Sequence, residues 1–309
     1  MRLFFRQVLI FLIIGYVLNL IGGEILSIKQ RILTKRKLFY PELRMDEFYG
    51  QKDNIDIVFL GSSRCYQGFD PAVVDLVTGM NSFNLGSSSQ TPITSYYLLK
   101  EVYRTQKPKV VILEISVDVL NTEQLVNGGY ILDAMHNSLN KLDFFLHGFD
   151  FKEQVELLLP LYRYRENRGF FYYSLFDDID EHYDKKRVYL EKGFVVNENN
   201  ISENISYEFL KTEKLAENVD YLKKINTLAN TEGSELVFIY IPYPSGTKII
   251  DQAEFVEYID DKIDDLGKEF INYLSNDEDY GDEYFADGNH LNLAGATKLS
   301  HEIAQEIIR

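Results

Sequence analysis

A single cysteine in 309 residues excludes an intramolecular disulfide and any zinc site built on several thiolates. Glycine and proline are also scarce, at 19 and 7 residues. With 45% hydrophobic and 14% aromatic residues, that scarcity excludes a collagenous, low-complexity or disordered chain. Bases are outnumbered, 32 Lys and Arg against 48 Asp and Glu, for a net charge of −16. So acidic a chain lacks the basic face that displaces counterions from phosphates, so nucleic acid is not an expected partner. Length alone allows one or two domains.

The shortage of positive charge is not uniform. Residues 1–38 hold seven bases (Arg2, Arg6, Lys29, Arg31, Lys35, Arg36 and Lys37) and one acid, Glu24, which leaves −22 on the other 271 residues. Inside this basic segment, Val8 to Gly23 is an apolar run interrupted only by Asn19. With Leu3 to Phe5 and a snorkelling Arg6 it reaches the roughly 20 residues needed to cross a bilayer. No small-x-small cleavage site follows, which argues against a removed signal peptide. A run apolar on all sides that ends in bases also fits a core helix poorly. Residues 1–38 are therefore expected to be an N-terminal membrane anchor whose basic flank meets anionic lipid. Two arginines and the terminal amine precede the span and five bases follow it. The positive-inside rule would leave the rest of the chain in the cytoplasm, whereas the chemistry below suits the outside.

Residues 39–53 read as a polar lead-in. Beyond them, short apolar runs alternate with helical patterns. Strands are expected at Ile55–Leu60, Ser82–Leu85, Lys109–Ile115, Glu235–Ile241 and, weakly, Phe270–Tyr273. Helices are expected at Pro71–Thr78 behind an Asp70 cap, from Thr91-Pro92 to about Gln106, near 208–231 and 252–266, and at Leu293–Ile308. Such alternation predicts an α/β fold, an open parallel sheet of about five strands with helices on both faces. Residues 117–207 break the rhythm and read as a helical insertion in the 39–309 domain, either a lid or one wall of a cleft.

Three motifs fall where an open α/β sheet places its site, at the carboxyl ends of strands. Gly61-Ser62-Ser63-Arg64 follows the first strand, where glycine permits a sharp turn that presents a serine hydroxyl and backbone N–H groups. Asn84-Leu85-Gly86 ends the second strand, and the Gly86 N–H is a candidate second oxyanion donor beside that of Ser63. Asp287-Gly288-Asn289-His290 precedes the last helix, a spacing that lets a carboxylate hold an imidazole for a serine nucleophile. Asp133 and His136 repeat the spacing, but within the irregular insertion and without a following small-residue helix, so they read as a decoy. Arg64 is a candidate contact for substrate or, equally, for an acidic neighbour, and Asn84 is a candidate substrate contact. Cys65 reads as a small buried side chain, and His147, His182 and His301 as surface or packing residues. The Tyr- and Arg-rich 161–173 segment reads as core lining, and the acidic runs 177–184 and 277–283 as solvated faces lacking the order of a calcium loop.

The order of these motifs resembles the SGNH (GDSL-like) hydrolase superfamily over about 54–309. The resemblance implies a flavodoxin-like SGNH fold with Ser63 as nucleophile, His290 as base, Asp287 as its orienting acid and Gly86 as an oxyanion glycine. Ser62 stands where the family's usual Gly-Asp-Ser has its acid, a variant similar to the membrane-anchored cell-envelope branch that includes the teichoic-acid D-alanyl transfer protein and polysaccharide O-acetylation proteins. The third block, Gly-x-Asn-Asp, has no counterpart: the chain reads Glu114-Ile115-Ser116-Val117-Asp118, and Asn121 is the nearest asparagine. By resemblance, then, the chain is a serine acyltransferase or esterase needing no cofactor or metal. It would act on cell-surface glycan or teichoic acid, in company with a membrane-bound acyltransferase, from a single-pass anchor with its domain extracellular. A non-catalytic scaffold of an acylation complex and a cytoplasmic-side lipid esterase are the alternatives.

Overall fold

In a computed structural model, residues 1–37, 40–52, 54–120, 125–159, 187–198, 205–273 and 280–309 are described. Two compact units result, one of Met1–Phe39 with Phe145–Lys185, the other of Tyr40–Phe144 with Lys186–Arg309.

In the first unit, α1 (Arg2–Lys37) contains a stretch, Phe4–Gly23, of 20 residues and mean hydropathy 2.0. Length and composition suffice to cross a membrane, and a signal sequence would meet the same test. α9 (Phe151–Leu158) starts in a capping box, in which Asp150 takes the Glu153 N–H and Glu153 the Asp150 N–H.

The second unit is built on five parallel strands in the order β2-β1-β3-β7-β9. They are β1 (Ile57–Leu60), β2 (Ser82–Asn84), β3 (Val110–Glu114), β7 (Glu235–Tyr240) and β9 (Glu269–Asn272). Counted within the sheet this is 2-1-3-4-5, the doubly wound flavodoxin-like order, whose ligands sit at the carboxyl ends near the β1/β3 switch point. Every residue of β1, β2 and β3 is buried, which is why β1 and the first four residues of β3 read as continuous apolar runs rather than as alternation. Ile57, Phe59, Ile112, Val237 and Ile239 share a core with Val74 of α4 (Pro71–Thr78) and with Leu299 and Ile303 of the last helix, α12 (Leu293–Ile307). On the other face α10 (Glu213–Glu232) packs against β7 and along α5 (Pro92–Thr105), and α11 (Gln252–Asp264) contacts β9. Asp70, Thr91 and Asn292 cap α4, α5 and α12 through their side chains.

Two expectations need correction. Residues 39–53 are not merely a polar lead-in: Tyr40–Gly50 is a helix, α2, with Arg44, Met45 and Phe48 buried. The described part of 117–207 is not only helical. After α6 (Val117–Leu120), α7 (Leu125–Ala134), α8 (Leu139–His147) and α9, the chain forms an antiparallel hairpin, β4 (Arg187–Tyr189) and β5 (Val195–Asn197). A further parallel pair follows, β6 (Ser206–Glu208) with β8 (Lys248–Ile250). Asn121, His182, the 161–173 segment, the 177–184 run and part of the 277–283 run lie outside the described residues.

Candidate active site

β1 delivers the chain to Gly61, whose φ is +148° and where a Cβ would sit 2.6 Å from both Cβ and Oε2 of Glu114. Only glycine fits so close an approach. Ser62 then caps the short helix α3 (Ser63–Gly68), its Oγ accepting the Arg64 N–H at 3.2 Å. Ser63 opens that helix, in the turn whose N–H groups have no partner within a helix, and its side chain is only partly buried.

Far along the sequence, Phe285 and Leu291 form an antiparallel bridge, and the Ala286 N–H donates to the His290 carbonyl at 2.8 Å. This closed turn carries Asp287 and His290. The Asp287 carboxylate takes the backbone N–H groups of Asn289 and His290 at 2.9 Å each through Oδ1. His290 Nδ1 lies 2.8 Å from Oδ1 and 3.0 Å from Oδ2. His290 Nε2 is 2.8 Å from the Oγ of Ser63, 227 residues earlier in the chain. The three residues thus form a continuous hydrogen-bonded chain. Burial alone would raise the Asp287 carboxyl, but the hydrogen bond and charge of His290 and the two backbone donors prevail and hold it down at about 2. A carboxylate so held remains charged and can keep the imidazole proton on Nδ1, leaving Nε2 to accept from Ser63.

Two neighbours of Asp287 carry no signal in the sequence. Asn197 Nδ2 donates to Oδ2 at 3.1 Å, and Arg187 Nη2 lies 3.5 Å from the same oxygen. Both belong to the β4–β5 hairpin, 90 residues (Asn197) and 100 residues (Arg187) before Asp287, and no local spacing marks either one.

Other candidate residues take different places. Arg64 does not face solvent: it is 1% exposed, donates through Nη2 to the carbonyls of Ile241 and Pro242, and lies 3.4 Å over the Tyr243 ring. Asn84 is fully buried, its Nδ2 donating at 2.9 Å to the carbonyls of Cys65 and Phe69. Both therefore brace the nucleophile turn from inside, which corrects the substrate contact expected of Asn84; of the two partners expected of Arg64 it is the acidic one that is present, Glu114 and Asp118 acting on its charge. The Gly86 N–H donates to Asn84 Oδ1 at 3.0 Å, so an oxyanion could take it only as a shared donor. Burial pushes the Cys65 thiol well up, the state of an inert side chain. His136 stacks on Tyr49 with ring centroids 3.6 Å apart. Among the described residues, no group of three or more His, Cys, Asp or Glu is placed to hold a metal ion.

No family model matches the chain. No curated protein matches it either. Among solved structures, a GDSL-like lipase from Bacteroides thetaiotaomicron is similar at 9% identity and TM-score 0.44, over 87% of this chain and 96% of that one. A protein assigned to the lipolytic G-D-S-L family from Desulfitobacterium hafniense is similar at 11% identity and TM-score 0.42, over 82% of this chain and 99% of that one. A protein assigned as an acylhydrolase from Bacteroides fragilis is similar at 10% identity and TM-score 0.41, over 84% of this chain and 90% of that one. Likeness this distant transfers no activity; what the site can do rests on its own geometry.

Proposed function

We infer that this chain is a serine-dependent esterase or acyltransferase of SGNH type. The observation that carries the reading is the Ser63–His290–Asp287 chain, with 2.8 Å from Ser63 Oγ to His290 Nε2 and 2.8 Å from Nδ1 to Asp287 Oδ1. Ser63 Oγ attacks an ester carbonyl carbon while His290 Nε2 takes the hydroxyl proton. The tetrahedral oxyanion meets the Ser63 N–H and, as a shared donor, the Gly86 N–H. Collapse of the intermediate expels the alcohol, which takes the proton from His290, and leaves an acyl-serine. Water or a second hydroxyl, deprotonated in turn by His290, attacks the acyl carbon, and His290 returns that proton to the departing Ser63 Oγ, so the acyl group leaves as acid or as new ester.

The apolar Phe4–Gly23 stretch supports a single-pass anchor; the acyl substrate at the cell surface, a glycan or teichoic acid, rests on the resemblance of the motifs. The domain assignment follows: 1–38 as anchor, 39–309 as the SGNH-like domain. One observation favours the rival scaffold reading, in which the chain binds a membrane acyltransferase without turnover: the Gly86 N–H already has an acceptor in Asn84.

The test is fluorophosphonate labelling of the detergent-solubilised full-length protein, with the adduct mapped by mass spectrometry. An adduct on Ser63 that is lost in His290→Ala is the expected result. A folded protein that stays unlabelled sinks the enzymatic reading.

A further inference from the structure

The β4–β5 hairpin reaches both sides of the site. Arg187 and Asn197 are a directly opposed pair across the two strands, so their side chains arrive at Asp287 from one rung of the ladder. The far end of the hairpin is fixed without reference to Asp287. The Asn84 N–H donates to the Lys192 carbonyl at 2.9 Å, Arg44 Nη2 to the Gly193 carbonyl at 2.9 Å, and the Lys192 N–H to Glu47 Oε1 at 2.7 Å. Lys192 Nζ pairs with Asp75 and donates to Asn81 Oδ1 at 2.8 Å. The hairpin is thus held by α2, α4 and the end of β2, and its open end rests on the acid of the triad.

The Asp287 carboxylate needs such a rest. Its Oδ1 is held by two backbone N–H groups, whereas among the described residues Oδ2 meets Asn197, Arg187 and, at the longer distance, the imidazole. Torsion about the carboxyl bond is soft, and turning it would take Oδ1 off Nδ1 of His290.

We propose that Asn197 and Arg187 are positioning residues for the reaction, fixing Oδ2 of Asp287 so that Oδ1 stays on His290. The β4–β5 hairpin is then a working part of the active site and not a detachable insertion. This rests on the serine reading given above. Asn197 is 1% exposed and makes the shorter contact, so it contributes more than Arg187, whose side chain is 32% exposed.

The experiment is steady-state turnover of p-nitrophenyl acetate by the full-length protein in detergent, with thermal midpoints measured in parallel. The variants are Ser63→Ala, Asn197→Ala, Asn197→Asp, Arg187→Ala and Arg187→Lys. Asn197→Ala is expected to lower kcat roughly tenfold or more at unchanged KM, the signature of a misaligned catalytic group. Asn197→Asp should be slower still, because it sets a second carboxylate against Asp287. A packing role predicts the reverse, since aspartate fills the site of asparagine and alanine does not. Arg187→Ala should show a smaller loss of kcat, recovered by Arg187→Lys. Wild-type kcat in Asn197→Ala and Arg187→Ala, with Ser63→Ala inactive, overturns the proposal and leaves the serine reading intact. Full turnover in Ser63→Ala removes both. If the Asn197 variants fail to fold, the Arg187 pair decides alone.

Discussion

The backbone N–H of Ser62 donates to Oε2 of Glu114 at 2.7 Å, tying the turn after β1 to the last residue of β3. Glu114 is 3% exposed, and burial pushes its carboxyl up despite the opposing charge of Arg64 and the Ser62 N–H. It stands where the resemblance expected a block carrying asparagine, and it touches the nucleophile turn by a different route. Glu114→Ala removes an acceptor from a buried N–H and the carboxylate that faces a buried guanidinium. The expected loss is about 3 kcal/mol of unfolding free energy. Glu114→Gln keeps an acceptor and should lose less. Urea unfolding of the two variants checks the order, and equal losses would mean that the charge facing Arg64, and not the acceptor for the Ser62 N–H, is what matters there.

Asp287→Asn keeps the size of the side chain but replaces the acceptor for Nδ1 by an amide that can be satisfied with the wrong imidazole tautomer. Ester turnover is expected to fall by about 10³–10⁴, with a stability cost near neutral pH on the order of 2 kcal/mol. Turnover assays beside circular dichroism test this. A drop of less than tenfold would show that His290 is oriented without the carboxylate.

The depressed Asp287 carboxyl also makes an acid-stability prediction. Its value in the fold, about 2, is below the ordinary 3.8. A carboxyl lowered by folding stabilises the fold above its unfolded value, and that contribution is lost as pH falls through the folded one. The window is therefore about pH 4 down to about pH 2, and the amount at stake is on the order of 2 kcal/mol. The stability advantage of wild type over Asp287→Asn should shrink across that window. Chemical denaturation at pH 6, 4 and 2.5 measures it, and an advantage that does not change with pH would refute the cause assigned.

The parts of the fold legible in the sequence were those that bury apolar side chains on a regular period. β1, β3 and β7 are runs such as Ile-Val-Phe-Leu, and α4 starts at the Asp70-Pro71 pair expected of it. α2 was missed because its buried face is short: Met45 and Phe48 are buried while Leu43 is half-exposed. The candidate triad could be read because each partner sits at the end of a regular element. Asn197 and Arg187 could not, since contacts across 90 and 100 residues leave no spacing. The substrate contact expected of Asn84, and as one of two readings of Arg64, fails for a related reason. A polar residue beside a motif invites a substrate role, and only the fold shows that both side chains turn inward onto backbone carbonyls.

Gly193 offers a test of the hairpin that alters no side chain near Asp287. Its φ is +86°, a conformation that residues bearing a Cβ adopt at a cost, and a Cβ there would overlap the Asn84 carbonyl. Gly193→Ala therefore either strains the turn or drives it away from β2, breaking the bond from the Asn84 N–H to the Lys192 carbonyl. The expected cost is about 2–4 kcal/mol of stability. Because Asn84 also accepts the Gly86 N–H and the hairpin's other end bears on Asp287, turnover should fall in the fraction that stays folded. Kinetics below the thermal midpoint, with the folded fraction measured by circular dichroism, separate the two effects. Full activity per folded molecule would mean that Asp287 does not depend on where the turn sits.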